Sequence, residues 1–274
     1  MNTLVQAMIE STPEQRIEEV EALLKFQSRT ALVTGAGTGI GLALIDQLLA
    51  DPRTGTVYAG CRKPELSFSL QERAADDPRL KLIALDVTDA ASVAAATNVM
   101  RASEKLDLVI NTAGILHSVE GMRPEKRLAD VNTDDLLLAY DVNALGMLRL
   151  AVKLEPLLKA SKAARFISLS ARVGSIGDNQ LGGWYAYRAS KAALNMLLKT
   201  LAIEWSRARP AITCAAVHPG TVSTALSDPF TRDGYRGTVF TPAEAAAHLL
   251  EVIDDLTPAE SGGFYAWDGQ AIPW

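Results

Sequence analysis

Short apolar runs alternate with longer stretches of helical periodicity from Thr30 to the C-terminal end of the chain. A short apolar run is typical of a buried strand, whereas apolar residues spaced three and four apart are typical of a helix packed on one face. The runs that predict strands are Thr30–Thr34, Thr56–Gly60, Leu80–Leu85, Leu106–Asn111, Ala164–Leu169, Ile212–Val217 and Gly263–Trp267. The stretches that predict helices are Ile40–Leu49, Ala90–Arg101, Asp134–Ser161, Ala186–Ala208 and Pro242–Asp254.

This alternation predicts an α/β fold. Strands separated by helices of about ten residues or more form βαβ units with parallel strands. Right-handed crossovers then place helices on both faces of a single doubly wound parallel β-sheet. No repeat or low-complexity linker interrupts the pattern, so residues 29–274 are predicted to form one domain. The segment Ser223–Phe240 has the weakest periodicity, and such segments often cover binding sites.

Residues 1–28 precede the alternating pattern and are rich in glutamate. Pro13–Phe26 repeats apolar residues at helical spacing, and Thr12 can cap the helix that this spacing predicts. We therefore expect an N-terminal helical extension, either packed on the main domain or in contact with a partner. The extension lacks the apolar core of a secretory signal.

Composition excludes several classes of protein. The 274 residues include 27 Lys and Arg against 32 Asp and Glu, and the net charge of −5 argues against nucleic-acid binding. No run of about 18 apolar residues occurs, so no membrane contact is expected. The 2 cysteines and 3 histidines lack the spacing of a disulfide framework or a metal site. A reducing, cytoplasmic location is the expectation.

The first candidate site is the glycine-rich sequence Thr34–Gly41 (TGAGTGIG), between the first predicted strand and the helix that follows it. Glycines there permit a tight turn and a close backbone approach to a pyrophosphate, and the helix N-terminus then faces the anion. A dinucleotide site is the favoured interpretation, and a purely structural turn is the alternative. A P-loop is excluded because no Gly-Lys-Ser/Thr sequence follows.

The end of the second predicted strand bears on which dinucleotide is bound. NAD-binding sheets usually carry a carboxylate there for the ribose hydroxyls, whereas this chain has Cys61, Arg62 and Lys63. Arg62 can bind a 2′-phosphate through two hydrogen bonds, so NADP(H) is the predicted cofactor and NAD(H) the alternative. Asp86 follows the third strand and is either an adenine ligand or, like Asp89, a helix N-cap.

The second candidate site is the pair Tyr187 and Lys191, which share one helix face as residues i and i+4. A phenol with an ordinary pKa of about 10 is a poor acid–base catalyst at neutral pH. A lysine ammonium and an oxidised nicotinamide nearby would favour the phenolate, and the pair could then exchange a proton with a carbonyl or alcohol oxygen. Taken alone, the same spacing also fits an ordinary exposed pair on a helix.

Together these sequences resemble the short-chain dehydrogenase/reductase family. The resemblance extends from Ala31 to Thr224 and depends on motifs that follow in the family's order. The matching motifs are the spacing of Gly35, Gly39 and Gly41, the sequence Asn111–Gly114, Asn143 within Asp141–Gly146, the pair Tyr187 and Lys191, and Pro219–Thr224. Arg123–Lys126, Tyr185–Arg188 and the ending from Gly263 to Trp274 are further similar to the C-factor and sniffer-type carbonyl reductases.

The resemblance implies a Rossmann-type sheet and a set of catalytic residues. Tyr187 would be the general acid and base. Lys191 would bind the nicotinamide ribose and lower the pKa of Tyr187. Asn143 would hold a water molecule that links Lys191 to solvent.

The resemblance also implies which residues bind the cofactor. The residues at the end of the fourth strand and directly after it would line the cofactor. Pro219 to Val222 would face the nicotinamide amide, and Thr224 would reach the phosphates or the amide. The expected set is Gly35, Thr38, Gly39, Ile40, Gly41, Arg62, Asp86, Val87, Asn111, Ala113, Gly114, Tyr187, Lys191, Pro219, Gly220, Val222 and Thr224.

Two positions depart from the family pattern. The family carries a Ser-Ser pair after the fifth strand, with the second serine orienting the substrate, but this chain has Ser170 followed by Ala171. Ser170 and Ser175 are therefore the candidates for the missing hydroxyl. Thr38 stands where NADP-preferring relatives often carry Arg or Lys, so the predicted preference for NADP(H) depends on Arg62.

The functional expectation is an NADP(H)-dependent oxidoreductase that transfers a hydride between the nicotinamide and a carbonyl compound or secondary alcohol. The substrate would be a small molecule in an apolar pocket formed in part by Leu181, Trp184 and Phe230. A homodimer or homotetramer built through the long helices is an open alternative to a monomer. A dinucleotide-binding signalling or scaffold protein with vestigial activity is the alternative function, motivated by Ala171.

Overall fold

A computed structural model describes residues 28–119, 121–207, 212–231 and 236–274 of the chain. The predicted helix Pro13–Phe26 lies outside these ranges, as do the last residue of the predicted helix Ala186–Ala208 and part of the segment Ser223–Phe240. Within the described ranges, no helix combines the length and the apolar character that crossing a bilayer requires.

A parallel sheet of seven strands forms the centre of the described structure. Its strands are β1 (Arg29–Thr34), β2 (Thr54–Cys61), β3 (Leu80–Ala84), β4 (Leu108–Asn111), β5 (Arg165–Leu169), β6 (Thr213–His218) and β9 (Gly263–Ala266); the short strands β7 (Thr221–Val222) and β8 (Val239–Phe240) lie outside it. The sheet order is β3-β2-β1-β4-β5-β6-β9, and β7 pairs separately with β8. Because the chain reverses its direction of travel between β1 and β4, the loops after these strands diverge and leave a crevice at the carboxyl edge.

Helices cover both faces of the sheet, which confirms the predicted doubly wound α/β fold. They are α1 (Gly39–Ala50), α2 (Phe68–Asp76), α3 (Ala90–Met100), α4 (Thr133–Tyr140), α5 (Gly146–Lys159), α6 (Tyr185–Trp205), α7 (Asp228–Thr231) and α8 (Pro242–Asp255). Apolar residues of α1, α2 and α8 pack on one face, and those of α3, α5 and α6 pack on the other. The strands are therefore buried on both sides, which explains their continuous apolar runs.

A π-helical turn at Asp141–Leu145 interrupts the long helix that the sequence predicts over Asp134–Ser161. The first part of that helix, α4, ends at Tyr140, and the second part, α5, begins at Gly146. The predicted helix is therefore present as two α-helices joined by a π turn, which the apolar periodicity did not reveal because such a turn widens the helix only locally. Such turns occur often at functional sites, and this one contains Asn143.

Sequence periodicity missed the short elements and located the capped helix correctly. In α2 only Leu70 is buried, so the helix has no apolar periodicity. The strands β7 and β8 have two residues each and are too short to produce a recognisable pattern. The capping box that begins α8 is confirmed. The N–H of Glu244 donates to Thr241 Oγ1 at 3.2 Å, and the Thr241 N–H donates to the Glu244 carboxylate at 2.8 Å.

Candidate functional site

The turn after β1 requires glycine at three positions. Gly35 and Gly39 have φ angles of 63° and 55°, in the left-handed region that other residues rarely adopt. A Cβ atom on Gly41 would collide with the carbonyl oxygen of Gly35, because the turn folds back onto the start of α1. The spacing of these glycines is therefore dictated by the backbone of the turn.

The N-terminus of α1 is open to an external acceptor. Thr38 precedes the helix in an extended conformation and its side chain makes no capping hydrogen bond. The first-turn N–H groups, which a helix cannot pair internally, include that of Ile40. Thr224 lies over this turn, since a Cβ atom on Gly39 would be 3.1 Å from Thr224 Cγ2. The arrangement suits an anion held between the helix N-terminus and the threonine.

A row of buried hydrogen bonds fixes the ends of β1, β4 and β5. Thr34 Oγ1 donates to Asn111 Oδ1 at 2.6 Å, and Asn111 Nδ2 donates to Ser168 Oγ at 3.0 Å. The N–H of Ala113 also donates to Asn111 Oδ1, at 3.3 Å. The side chain of Asn111 is thus engaged within the protein, where it shapes the loop that borders the crevice.

Arg62 is exposed at the end of β2, and its charge acts on Asp86. Asp86 Oδ1 accepts hydrogen bonds from the N–H and the hydroxyl of Thr88, at 2.9 and 2.7 Å. Burial raises the pKa of Asp86, but the bonds from Thr88 and the charges of Arg62 and Arg149 outweigh burial and hold the pKa below its usual value.

The helix cap after β3 belongs to Asp89 and not to Asp86. Asp89 precedes α3 and accepts a hydrogen bond from the N–H of Ala91 at 2.8 Å. Val87 is buried, and its carbonyl oxygen accepts a hydrogen bond from Arg149 at 3.2 Å. Asp86 and Val87 therefore lie in a fixed turn at the carboxyl edge of the sheet.

Tyr187 and Lys191 lie one turn apart on the buried face of α6. Lys191 Nζ is 5.7 Å from the centre of the Tyr187 ring and donates to the carbonyl oxygen of Leu169 at 2.9 Å. A Cβ atom on Gly114 would be 3.5 Å from Lys191 Nζ and 3.3 Å from Asn143 Oδ1. Glycine at position 114 therefore leaves space at the point where Lys191 and Asn143 converge.

Asn143 connects the loop after β4 to the helix that carries the pair. Its Oδ1 accepts from the N–H of Ile115 at 2.7 Å, and its Nδ2 donates to the Ile115 carbonyl oxygen at 2.9 Å and to Ser190 Oγ at 3.0 Å. The Ser190 hydroxyl in turn donates to the carbonyl oxygen of Tyr187 at 2.9 Å. Sequence reasoning missed Ser190, whose only signal is its place directly before Lys191.

Burial controls the protonation of the Tyr187 and Lys191 pair. Burial raises the pKa of the Tyr187 phenol, and it lowers the pKa of the Lys191 ammonium to about 8. The phenol is therefore protonated at neutral pH, and most of the lysine still carries its charge. The shift of Tyr187 is opposite to the one that the resemblance implies, because burial of the phenol disfavours its charged phenolate form.

The candidate serines after β5 differ in how their hydroxyls are used. Ser170 is buried, and its hydroxyl donates to Asn195 Oδ1 on α6 at 2.7 Å. Ser175 is also buried, but its Oγ accepts a hydrogen bond from the N–H of Asp178 at 3.0 Å. Ser175 thus keeps a proton to donate, whereas the proton of Ser170 is already committed.

The short 3₁₀ turn Arg172–Gly174 packs directly against α6. A Cβ atom on Gly174 would be 2.8 Å from Lys191 Cβ, so only glycine permits this approach. Ala171 and Ser175 flank the turn. The position that lacks the family serine, Ala171, and the candidate donor Ser175 therefore lie close in the chain to a direct contact with Lys191.

Aromatic side chains line the space next to Tyr187. The Trp184 ring is 6.2 Å from the Tyr187 ring and 5.0 Å from the Phe230 ring, measured between centroids. His117 is 5.9 Å from Phe230, and its Nε2 is 3.1 Å from the carbonyl oxygen of Ala225. Trp184 and Phe230 therefore form an aromatic cluster beside Tyr187, and His117 lies at its edge.

Leu181 does not contribute to the expected apolar pocket. Its side chain is 92% exposed, so the expectation that it lines the pocket is wrong. Gly182 and Gly183, which follow it, both have positive φ angles and direct the chain back toward Trp184.

The segment after β6 completes the carboxyl edge. Pro219 follows the strand, and Gly220 has a φ of 79° and lies against the rings of Phe240 and Trp267, which a Cβ atom would approach to 2.8 and 3.2 Å. Val222 is buried in β7. This short β7–β8 pairing leads the chain to Thr224 and so returns it to the glycine turn.

These observations fit a nicotinamide dinucleotide. The glycine turn and the uncapped α1 form an anion cradle, Arg62 is an exposed cation at the end of β2, and Gly114 leaves open space beside Lys191. Ser170 Oγ, by contrast, is turned into the interface with α6.

Comparison with known proteins places the chain among oxidoreductases. Residues 29–234 match the family model described as short chain dehydrogenase. An uncharacterized oxidoreductase of Schizosaccharomyces pombe is 32% identical over 259 residues, which cover 90% of this chain and 98% of the relative. The C-signal of Myxococcus xanthus is 35% identical over 180 residues, which cover 65% of this chain and 98% of the relative.

A solved structure agrees with these sequence relatives. The NADPH-bound carbonyl reductase from chicken fatty liver superposes with a TM-score of 0.80 at 32% identity, and the alignment covers 90% of this chain and 100% of the reductase.

The geometry of the glycine turn predicts a stability difference between two glycine substitutions. Gly41→Ala should lower the free energy of unfolding by about 1–3 kcal/mol, because the new Cβ atom overpacks a turn that cannot yield. Urea denaturation measures the loss.

The matched control is Gly37→Ala in the same turn. A Cβ atom at Gly37 would lie 3.7 Å from Ser67 Oγ, an ordinary contact distance. Its free energy of unfolding should remain within about 0.5 kcal/mol of the unsubstituted protein. Equal losses for the two variants would contradict the proposed packing of the turn.

Proposed function

Because the chain belongs to the short-chain dehydrogenase family, in its carbonyl reductase and C-factor-like branch, we propose that it reduces small carbonyl compounds with NADPH. Membership of this oxidoreductase family supports an enzyme that acts on carbonyl or alcohol groups with a nicotinamide cofactor. The observation that carries the specific proposal is the buried Tyr187 and Lys191 pair, whose lysine converges with Asn143 at the space left by Gly114.

The protonation of the pair suits reduction. NADPH, when bound, supplies the hydride to the substrate carbon. Tyr187, kept protonated by burial, donates its proton to the carbonyl oxygen, and the neighbouring Lys191 ammonium stabilises the phenolate left behind. Asn143 holds the loop at Ile115 and, through Ser190, the backbone of Tyr187. It therefore fixes the position of the proton donor Tyr187 relative to the loop after β4.

The choice of NADP(H) over NAD(H) depends on Arg62. Its exposed guanidinium at the end of β2 is suited to two hydrogen bonds with a 2′-phosphate, and the strand end offers no carboxylate for the ribose hydroxyls. The carbonyl reductase from chicken fatty liver was solved with NADPH bound, which supports the same preference in this chain.

The substrate pocket favours a small or medium-sized apolar carbonyl compound. Trp184 and Phe230 contribute aromatic surface beside Tyr187, and His117 joins the loop after β4 to the segment after β7. A signalling or scaffold role with vestigial activity is the second candidate, favoured by Ala171 and by the similarity to a protein called C-signal.

Tyr187→Phe should abolish reduction. Removing the proton donor should lower turnover by about 10²-fold or more, while NADPH binding is retained. The assay is NADPH consumption, followed by absorbance, on a panel of aldehydes, ketones and dicarbonyls.

Each outcome of this assay discriminates between the two candidate functions. Turnover that disappears in Tyr187→Phe supports the reductase. Tight NADPH binding without turnover of any compound by the unsubstituted protein would overturn the reductase and favour the scaffold role.

Arg62→Glu should separate the two cofactors. A carboxylate at this position repels the 2′-phosphate, so the Kd for NADPH should rise about tenfold or more, while the Kd for NADH changes little. Nucleotide fluorescence titration measures both constants. Lys63→Glu makes the same change of charge one residue further on and should have the smaller effect; equal losses for NADPH and NADH in Arg62→Glu would contradict the assignment.

Ala171→Ser should raise turnover. A serine here restores the hydroxyl that the family uses to orient the substrate, and such a donor typically contributes about 10²–10³-fold to rate. We expect a gain in kcat of about tenfold or more, with Ala171→Val as the size control that gains nothing. An unchanged kcat in Ala171→Ser would show that this position supplies no missing donor, and a loss of activity in Ser175→Ala would then identify Ser175 as the donor.

A further inference from the structure

A buried carboxylate lies at the N-terminus of the helix that carries Tyr187. Glu125 is 3% exposed, and both of its carboxylate oxygens accept from the N–H of Ala186, at 3.2 and 3.3 Å. The carbonyl oxygen of the same residue accepts from the N–H of Trp184. Ala186 directly precedes Tyr187, so Glu125 binds the backbone on the N-terminal side of the tyrosine.

The helix has no local cap to perform this task. Trp184 occupies the N-cap position, has no side-chain capping bond, and adopts a left-handed backbone with a φ of 51°. Gly182 and Gly183 before it also have positive φ angles, so the chain enters α6 through a tight and irregular turn. A first turn without a cap normally frays, because its N–H groups have no partners. Here Glu125, 61 positions before Ala186, supplies the acceptors.

The same loop is tied to the site at a second point. Ile115 is held by Asn143 through two hydrogen bonds, while Met122, between Ile115 and Glu125, packs with Ala139 and Ala186. The loop after β4 therefore connects the π turn to the beginning of α6. Its length and its anchoring fix where the first turn of α6 lies relative to Lys191 and Asn143.

We propose that Glu125 is a positioning residue for Tyr187: its carboxylate sets the first turn of α6 and thereby the placement of the phenol. This role rests on the proposed function, in which Tyr187 donates the proton. It is a requirement of geometry and not of charge, because what the carboxylate contributes is an acceptor at the correct distance from the N–H of Ala186.

The distinction between reach and charge defines the experiment. Glu125→Gln keeps an acceptor oxygen at the same reach and loses the charge. Glu125→Asp keeps the charge and withdraws the acceptor by one methylene, and Glu125→Ala removes the acceptor. NADPH-dependent turnover, the KM for NADPH and the solvent deuterium isotope effect on kcat are measured for the unsubstituted protein and each variant.

The variant that loses the charge but keeps the reach, Glu125→Gln, should have a higher kcat than Glu125→Asp, which keeps the charge but shortens the side chain. Glu125→Gln should retain kcat within about threefold, whereas Glu125→Asp and Glu125→Ala should lose about 10- to 100-fold, because a misplacement of about 1 Å can cost that much. The KM for NADPH should not change. The solvent isotope effect should rise in the impaired variants, since proton donation becomes slower.

Hydrogen exchange of the peptide that contains Trp184 to Tyr187 provides a readout without turnover. Exchange should be faster in Glu125→Asp than in Glu125→Gln. Glu260→Ala is the matched control, because Glu260 accepts from the N–H of Thr257 at 2.8 Å in an exposed cap of the same kind, which precedes β9 and does not bind the first turn of α6. It should leave both kcat and exchange at Trp184 to Tyr187 unchanged.

Two kinds of result would overturn the proposal, and they are distinguishable. Unsubstituted kcat in Glu125→Asp, or a larger loss in Glu125→Gln than in Glu125→Asp, would refute the positioning role while leaving the reductase intact. Absence of turnover in the unsubstituted protein, or full turnover in Tyr187→Phe, would refute the proposed function and this role with it.

Discussion

The burial of one lysine ammonium is the constraint on which the site depends. Lys191 is 4% exposed, and a charge so far from water is tolerated only with close polar partners. The carbonyl oxygen of Leu169, at the end of β5, is the partner that the structure provides. Because that carbonyl belongs to the sheet, α6 must lie close to the strand ends. The neighbouring segments must then leave room for the side chain of Lys191.

Backbone, more than side chains, satisfies this constraint. Gly174 permits the turn after β5 to touch Lys191, Gly114 leaves the space between Lys191 and Asn143, and Gly41 lets the turn after β1 close on itself. The polar side chains nearby mostly hold backbone groups: Asn143 binds both polar groups of Ile115. The result is a rigid frame in which few side chains remain directed at a substrate.

The features that sequence patterns could predict are those encoded locally. The glycine turn is recognisable because strand, turn and helix follow one another directly, and the spacing of Tyr187 and Lys191 is enough to place them on one face. Glu125 and His117 could not be found in this way, since each acts on a segment far away in sequence. The orientation of Ser170 depends on Asn195, which contacts it only in the folded chain.

The π turn at Asp141–Leu145 sets the rotation of α5 about its axis relative to α4, and it thereby links the position of Asn143 to the burial of the apolar face of α5. One residue more or less rotates the remainder of a helix by about 100°. With the turn in place, Met147, Leu150, Leu154 and Leu158 of α5 are buried in the core. A single-residue deletion that made the helix regular would rotate either Asn143 away from Ile115 or this apolar face away from the sheet. A change in helix length at this point therefore cannot preserve both the hydrogen bonds of the Asn143 side chain and the burial of the apolar face of α5.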